Sequence, residues 1–173
     1  VGGQPWRAIG GMAPRIHADG LAVDPSGETL YFHALTARTL YRVPTAALRD
    51  PSADPGAAVE AVATTAAVDG MFMDRDGALY LTAIEHDAIE RWSPQRGLET
   101  VVRDGLIQWP DAIVVAEVEG QRHLYFTASQ IHKGWAFNSM VDVRSTPFEI
   151  FRIPMHAASP ANEALVTACG QKR

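Results

Sequence analysis

The sequence predicts an all-β fold, part of a β-propeller with about three four-stranded blades, because one strand-rich unit repeats three times along the chain. Each unit starts at an aspartate, passes through a glycine-containing turn to a Leu-Tyr pair, and ends on a strand that carries an arginine. The strand-like runs are short, rich in Val, Ile, Leu, Tyr and Phe, and separated by turn signals such as Asp76-Gly77. Helical periodicity is nearly absent, and only residues 45–49 are predicted to form a helical turn.

The three units share their internal spacing. The leading aspartates are 50 and 42 residues apart, which fits the period of propeller blades. The distance from that aspartate to the tyrosine of the Leu-Tyr pair is 12, 11 and 14 residues, and from this tyrosine to the arginine it is 11, 11 and 27 residues. The last value marks an insertion in the third unit, at residues 130–147. The markers are Asp19, Tyr31 and Arg42; Asp69, Tyr80 and Arg91; and Asp111, Tyr125 and Arg152.

These markers divide the chain, residues 1–173, into three blades preceded by a short segment. Residues 1–18 are predicted to be the end of a preceding blade and a linker, with a strand at residues 5–9. The blades are predicted at residues 19–68, 69–108 and 109–168, and a fourth strand closes each of them, at residues 59–63, 99–103 and 164–167.

Three blades are too few for a ring, because propellers close with about four to eight. We therefore expect part of a longer protein, most simply half of a six-bladed ring. The faces of the two end blades would then be exposed and would favour self-association.

Composition excludes several classes of function. The chain has 173 residues and 47% hydrophobic residues, and its 15 basic and 20 acidic residues give a net charge of −5. That charge disfavours a nucleic-acid-binding surface, and no run reaches the roughly 18 apolar residues of a membrane helix. A single cysteine, Cys169, excludes an internal disulfide and a cysteine metal cluster. No Gly-x-Ser-x-Gly elbow, Walker loop or dinucleotide fingerprint is present.

The leading aspartates Asp19, Asp69 and Asp111 are the main candidates for chemistry. Each starts the innermost strand of its blade, so all three are expected at the mouth of the central channel. Converging carboxylates would suit Ca²⁺, which takes six to eight oxygen ligands, and Zn²⁺ or Mn²⁺ would also fit. A bound metal would polarise a lactone carbonyl and activate water. The alternatives are a polar pocket without metal, or aspartates that only shape turns by accepting backbone N–H bonds.

Two other places add candidate binding residues. His17 lies two residues before Asp19 and would line the same mouth, unless it is a surface residue. His132 and Trp135 lie in the insertion, which is predicted to be an aromatic lid over a small ligand or else a surface loop. The Leu-Tyr pairs are interpreted as blade core, and the recurring arginines as salt bridges or hydrogen bonds between blades.

Several strings of the chain resemble the bacterial branch of the major royal jelly protein/Yellow family, in its C-terminal half. They are residues 30–36, 39–45, 69–74, 108–111 and 148–154. The resemblance implies a six-bladed propeller that is usually secreted or periplasmic, so an extracellular or periplasmic location is expected. The resemblance does not define a set of catalytic residues. Insect members are similar to ligand-binding proteins, and a few are associated with dopachrome conversion.

A more distant similarity is to the gluconolactonase/regucalcin group of six-bladed propellers. That group holds a divalent metal on the central axis with a Glu, two Asn and an Asp. Asp69-Gly70 matches the family's aspartate, whereas Asp19 stands where the family has asparagine, and the other two ligands would come from blades absent here. This resemblance implies Asp19 and Asp69 as metal ligands and Asp69 as the candidate catalytic residue.

Three functions follow for this chain. The first is a propeller that binds a small ligand, of aromatic or amine character, at the channel mouth, where acidic residues favour a cation. The alternative is a metal-dependent enzyme that hydrolyses sugar lactones. The third is a scaffold for interactions, because fold does not fix function.

Overall fold

The computed structural model describes residues 1, 6–7, 11–155 and 166–167. Within these residues the chain forms three four-stranded antiparallel sheets, which confirms the predicted partial propeller. Blade 1 consists of β1 (Ala18–Val23), β2 (Thr29–Ala34), β3 (Thr39–Pro44) and β4 (Glu60–Thr64). Blade 2 consists of β5 (Val68–Met73), β6 (Leu79–Ala83), β7 (Ala88–Ser93) and β8 (Gly97–Arg103). Blade 3 consists of β9 (Pro110–Val118), β10 (Gln121–Ala128), β11 (Glu149–Pro154) and β12 (Val166–Thr167).

Each blade is a meander in which strands pair in chain order from the first to the fourth. Among the first strands, β5 contacts both β1 and β9, so the three first strands lie side by side on the inner side of the arc. The predicted helical turn is α1 (Thr45–Arg49). No helix in the described part of the chain has the length and apolar character needed to cross a membrane.

The predicted fourth strands are present with shifted ends, as β4, β8 and β12. Residues 164–165 of the third one lie outside the described residues. Of the strand predicted at residues 5–9, the structure describes only Trp6 and Arg7, and neither is in a strand. Trp6 packs instead on the rings of Trp109 and Phe137.

The core lies in the two seams between blades. Between blades 1 and 2, Tyr31 and Leu40 pack with Leu79, Leu81 and Trp92. Between blades 2 and 3, the buried cluster contains Tyr80, Ile89, Leu124, Phe126 and Phe151. Blade 2 is covered on both faces, so every residue of its strand β6 is buried. The Leu-Tyr pairs therefore contribute to the blade core, as predicted.

The prediction that the recurring arginines link the blades is wrong for the two whose ion pairs are resolved. Arg42 binds Glu60 at 2.7 Å and Arg91 binds Glu99 at 2.8 Å. In both cases the glutamate lies directly opposite the arginine on the neighbouring strand of the same blade. The physical reason is register, because side chains directly opposite on paired strands share one face of the sheet. Ion pairs between blades are formed elsewhere, by Arg38 with Glu85 and by Arg122 with Asp74.

Candidate functional site

The first residues of each inner strand pack against the first residues of the inner strand of the next blade. A Cβ built on Gly70 would lie 1.9 Å from the carbonyl oxygen of Asp111, and one on Gly20 would lie 3.1 Å from the carbonyl oxygen of Asp69. At Gly70 only a residue without a side chain allows this approach of the backbones, and at Gly20 an added Cβ would be tightly placed. Because Asp19, Asp69 and Asp111 occupy equivalent positions, this packing gathers the three leading aspartates at one end of the arc.

The carboxylate of Asp69 is at the centre of this group. Burial is the largest cause that raises the pKa of Asp69 to about 7; the hydrogen bond from Trp109 lowers this pKa, whereas the neighbouring carboxylates of Asp111 and Asp19 and a hydrogen bond to Asp19 raise it. Burial and the charge of Asp19 likewise raise the pKa of Asp111. Two half-buried carboxylates with raised pKa values, Asp69 and Asp111, beside the exposed carboxylate of Asp19 are an arrangement that a cation would stabilise.

Trp109 connects the aspartates to the rest of this end of the molecule. Its indole Nε1 donates a hydrogen bond of 2.6 Å to Oδ2 of Asp69, and its side chain is only 1% exposed. Its backbone has φ of 54°, in the left-handed region that few residues other than glycine adopt. Trp109 was not among the site residues predicted from the sequence. Its position two residues before Asp111, in the string Trp109-Pro110-Asp111, is the feature that could have identified it.

The insertion packs on Trp109. The ring of His132 stacks on it with 5.9 Å between ring centroids, and the ring of Trp6 meets it edge-on at 4.6 Å. Gln130 links the two ends of the insertion. Its side-chain amide donates a hydrogen bond to the backbone carbonyl of Ser145 and accepts one from the backbone N–H of Ser145, each at 3.0 Å. The base of the insertion thus packs at the carboxylate end, and its role as a lid stays a prediction.

The predicted binding residues differ in their placement. The structure brings together Asp19, Asp69 and Asp111, and it puts His132 next to them through Trp109. His17 is exposed, and its backbone carbonyl accepts a hydrogen bond from Leu35 at 3.1 Å. Trp135 is 52% exposed, whereas the neighbouring aromatic residue of the insertion, Phe137, packs on Trp6. A binding role for any of these residues stays a prediction.

Two buried nitrogens beside Trp109 lack hydrogen-bond partners among the described residues. They are Nδ1 of His132 and Nε1 of Trp6. Burial, and to a smaller extent the positive charges of Lys133 and the N-terminus, together lower the pKa of His132 to about 4. His132 is therefore neutral at physiological pH. Buried polar atoms without partners are uncommon and are satisfied in many proteins by water or a ligand.

The donor set by itself does not fit a resident metal ion. Oδ2 of Asp69 is already occupied by the indole N–H of Trp109. In the part of the chain that the structure describes, no group of three or more His, Cys, Asp or Glu side chains is arranged to hold a metal ion. The metal ligands predicted at Asp19 and Asp69 stay a prediction.

Replacing Asp69 by asparagine is expected to stabilise the chain above about pH 7. The pKa of Asp69 is raised from 3.8 to about 7 in the folded state. The folded state thus binds more protons between these values, so the free energy of unfolding falls as pH rises from about 4 to about 7 and stays low above it. Solvent screens a carboxylate that is partly exposed, so we expect a gain of about 1 to 2 kcal/mol in Asp69→Asn.

The measurement is the free energy of unfolding of both proteins across this pH range. Asparagine keeps an oxygen for the indole N–H of Trp109. Asp50→Asn is the control, because hydrogen bonds from Ser52 lower the pKa of Asp50, and this exchange should bring no gain above pH 7. Parallel pH curves for wild type and Asp69→Asn would contradict the assignment.

Comparison with known proteins identifies the family. The sequence model of the family described as "Major royal jelly protein" matches residues 12–162. No curated protein sequence matches the chain significantly.

Solved structures share the fold at low sequence identity. A gluconolactonase from Xanthomonas campestris is 17% identical with a TM-score of 0.58, and the match covers 87% of this chain and 53% of that one. A chain of the nidogen/laminin complex is 17% identical with a TM-score of 0.57, covering 90% and 50%. The calcium-binding protein regucalcin from Agrobacterium tumefaciens is 16% identical with a TM-score of 0.50, covering 70% and 43%. The chain thus spans about half the length of these proteins.

Proposed function

We propose, because the chain belongs to the major royal jelly protein family, that it binds a small cationic ligand at the carboxylate end of its inner strands. The observation that carries the proposal is the convergence of Asp19 and Asp111 on the half-buried carboxylate of Asp69. An extracellular or periplasmic location is part of the proposal and rests on the resemblance to the family.

The carboxylates of Asp19, Asp69 and Asp111 concentrate negative charge at this end of the inner strands. Three carboxylates that face one another repel, and the raised pKa of Asp69 expresses this repulsion together with its burial. A cation between them would replace repulsion with attraction and would shift Asp69 to its ionised form. Binding should therefore strengthen as pH rises through about 7.

The surroundings favour a ligand that has an aromatic part beside its charge. Trp109, His132, Trp6 and Phe137 form a continuous aromatic cluster at this end. Aromatic side chains stack on planar ligands and attract cations over their faces. The unpartnered nitrogens of His132 and Trp6 would also find a partner in a ligand or water that enters under the insertion.

Calorimetric titration with phenethylamine tests the proposal, with 2-phenylethanol as the neutral counterpart of the same shape. We expect the amine to bind and the alcohol to bind at least about tenfold more weakly, because a hydrogen bond to a charged group contributes about 1.5 to 3 kcal/mol. Asp69→Asn should lower the affinity for the amine by a similar factor. Asp50→Asn is the control, since Asp50 lies on the outer connection of blade 1.

Equal affinity for the amine and the alcohol, or an Asp69→Asn variant that binds the amine as the wild type does, would contradict the proposal. Titration with Ca²⁺, Mn²⁺ and Zn²⁺ alone tests the lactonase alternative in the same apparatus. Stoichiometric binding of a metal that is lost in Asp69→Asn would favour that alternative over an organic cation.

A further inference from the structure

The hairpin between β9 and β10 extends past the inner strands of the other two blades. Strand β9 has 9 residues, whereas β1 and β5 have 6 each. Counted from the leading aspartate of its blade, β5 ends at the fourth residue, Met73, and β9 ends at the seventh, Val118. At about 3.3 Å per residue, this difference carries the hairpin roughly 10 Å beyond the end of β5. The hairpin therefore forms a wall at the end of the inner strands that lies away from the carboxylate cluster.

A cavity of about 440 Å³ lies between this wall and the ends of β1 and β5. We call it the hairpin cavity, and its volume is within the range of small-molecule sites. It is separate from the carboxylate end, because Asp69 and Asp74 lie at opposite ends of β5, about 16 Å apart along an extended strand. All three blades line the cavity, with Val23 and Pro25 from blade 1, residues 72–75 from blade 2, and Val115, Glu117 and Arg122 from blade 3.

The floor of the hairpin cavity is apolar. Phe72 and Val115 pack on the buried cluster between blades 2 and 3, and Met73 packs on the one between blades 1 and 2. All three side chains are only partly buried, so a molecule in the cavity can reach them. Removing apolar surface from water is favourable, and the floor therefore suits a ligand with an apolar part.

One carboxylate of the rim is already paired. Asp74 is 3% exposed, and Nη2 of Arg122 donates to its Oδ2 at 2.6 Å and also to its Oδ1. Oδ1 accepts a further hydrogen bond from the backbone N–H of Arg75 at 2.7 Å. Asp74 is thus neutralised by Arg122. Only Nη2 of Arg122 is used, and among the described residues Nε and Nη1 have no acceptor, so the guanidinium keeps donors for a ligand.

Two further charges of the rim have no partner in the described part of the chain. The side chains of Arg75 and Glu117 are exposed, and neither forms an ion pair or a hydrogen bond with another described residue. Glu117 lies directly opposite Arg122 on the paired strands β9 and β10, so the two side chains share one face of the sheet. The rim therefore presents a carboxylate next to a guanidinium, with a second guanidinium from Arg75.

We propose that the hairpin cavity binds an α-amino acid with a large apolar side chain. The two arginines of the rim balance Asp74 and Glu117, so a ligand that carries both charges fits better than an anion or a cation alone. The ligand carboxylate would accept hydrogen bonds from Arg75 and Arg122, which are strong between charged groups. Its ammonium group would donate to Glu117, and its side chain would lie on the apolar floor. The two charged groups of an α-amino acid are close together, as Glu117 and Arg122 are.

Calorimetric titration with L-phenylalanine, 3-phenylpropionate and phenethylamine tests the proposal. The second compound lacks the ammonium group and the third lacks the carboxylate. Phenethylamine is titrated into Asp69→Asn, in which the proposed cation site at the carboxylate end is weakened. We expect L-phenylalanine to bind, and each of the other two to bind at least about tenfold more weakly, since each loses a hydrogen bond between charged groups. Glycine should also bind at least about tenfold more weakly, because it has no side chain to cover the floor.

Exposed residues of the rim provide the variants. Glu117→Gln and Arg75→Gln should each weaken the binding of L-phenylalanine about tenfold or more. Glu117→Gln should also abolish the preference for L-phenylalanine over 3-phenylpropionate, because Glu117 receives the ammonium group. Glu119→Gln and Arg49→Gln are the charge-matched controls, since both residues are exposed and neither lines the cavity. Circular dichroism should show that all four variants keep the fold.

The two proposed sites can fail separately. Asp69→Asn should bind L-phenylalanine as the wild type does, and Glu117→Gln should bind phenethylamine as the wild type does. A wild-type chain that gives no binding heat with millimolar L-phenylalanine would overturn the proposal. Equal affinities for L-phenylalanine and 3-phenylpropionate, equal losses in Glu117→Gln and Glu119→Gln, or loss of L-phenylalanine binding in Asp69→Asn would overturn it as well.

Discussion

Replacing Trp109 by alanine is expected to lower the free energy of unfolding by about 3 to 5 kcal/mol, as for other fully buried aromatic side chains. The indole ring is 1% exposed, packs with Trp6 and His132, and holds Asp69 through its N–H. Its removal would leave a cavity under the insertion and an unpaired carboxylate oxygen. For a chain of this length, thermal unfolding should shift down by about 6 to 20 °C.

Trp135→Ala is the matched control, since its side chain is 52% exposed in the same insertion. It should change stability by no more than about 0.5 kcal/mol. Trp109→Phe separates packing from hydrogen bonding. The N–H of Trp109 lowers the pKa of Asp69, so the phenylalanine variant should titrate Asp69 at a higher pH than the wild type. Equal losses in Trp109→Ala and Trp135→Ala would show that Trp109 does not anchor this end.

Gly70→Ala is expected to cost about 1 to 3 kcal/mol or more, the range seen when extra atoms are forced into a packed core. The added Cβ would lie 1.9 Å from the carbonyl oxygen of Asp111. That atom belongs to the backbone of β9, so blade 3 would have to move away from blade 2. The displacement would also separate Asp111 from Asp69 and weaken any ligand held between them.

Alanine substitutions at two other glycines serve as comparisons for the stability loss in Gly70→Ala. Gly20→Ala should cost less, because its Cβ would meet mainly the flexible side chain of Met71, which can shift. Gly105→Ala should be nearly neutral, because nothing lies within 4 Å of the added atom. The comparison uses thermal or denaturant unfolding of the three variants. A Gly70→Ala protein as stable as Gly105→Ala would mean that the backbone of β9 does not pack closely against Gly70.

The repeat in the sequence determined the fold. Its period, its turn signals and its short apolar runs are local features, and they predicted four-stranded blades and the helix α1 within a residue or two. The rings of Tyr31 and Tyr80 could be assigned to the core for the same reason, since alternation along a strand decides which face a side chain takes, whereas Tyr125 is only half-buried. The arginines could not be paired from sequence, because their glutamate partners depend on the register between two strands.

The same repeat also placed three aspartates at equivalent inner-strand positions, and so predicted that they would gather. Only the tertiary structure decided which of them is buried and what it binds. The pKa of Asp69 depends on its depth and on two charges from other blades, and its hydrogen bond comes from Trp109, 40 residues along the chain. Likewise, the sequence alone treats Leu40, Ile89 and Ile150 as equals. Packing separates them, because burial depends on neighbouring blades, and among the described residues no blade packs on the side of blade 3 that carries Ile150.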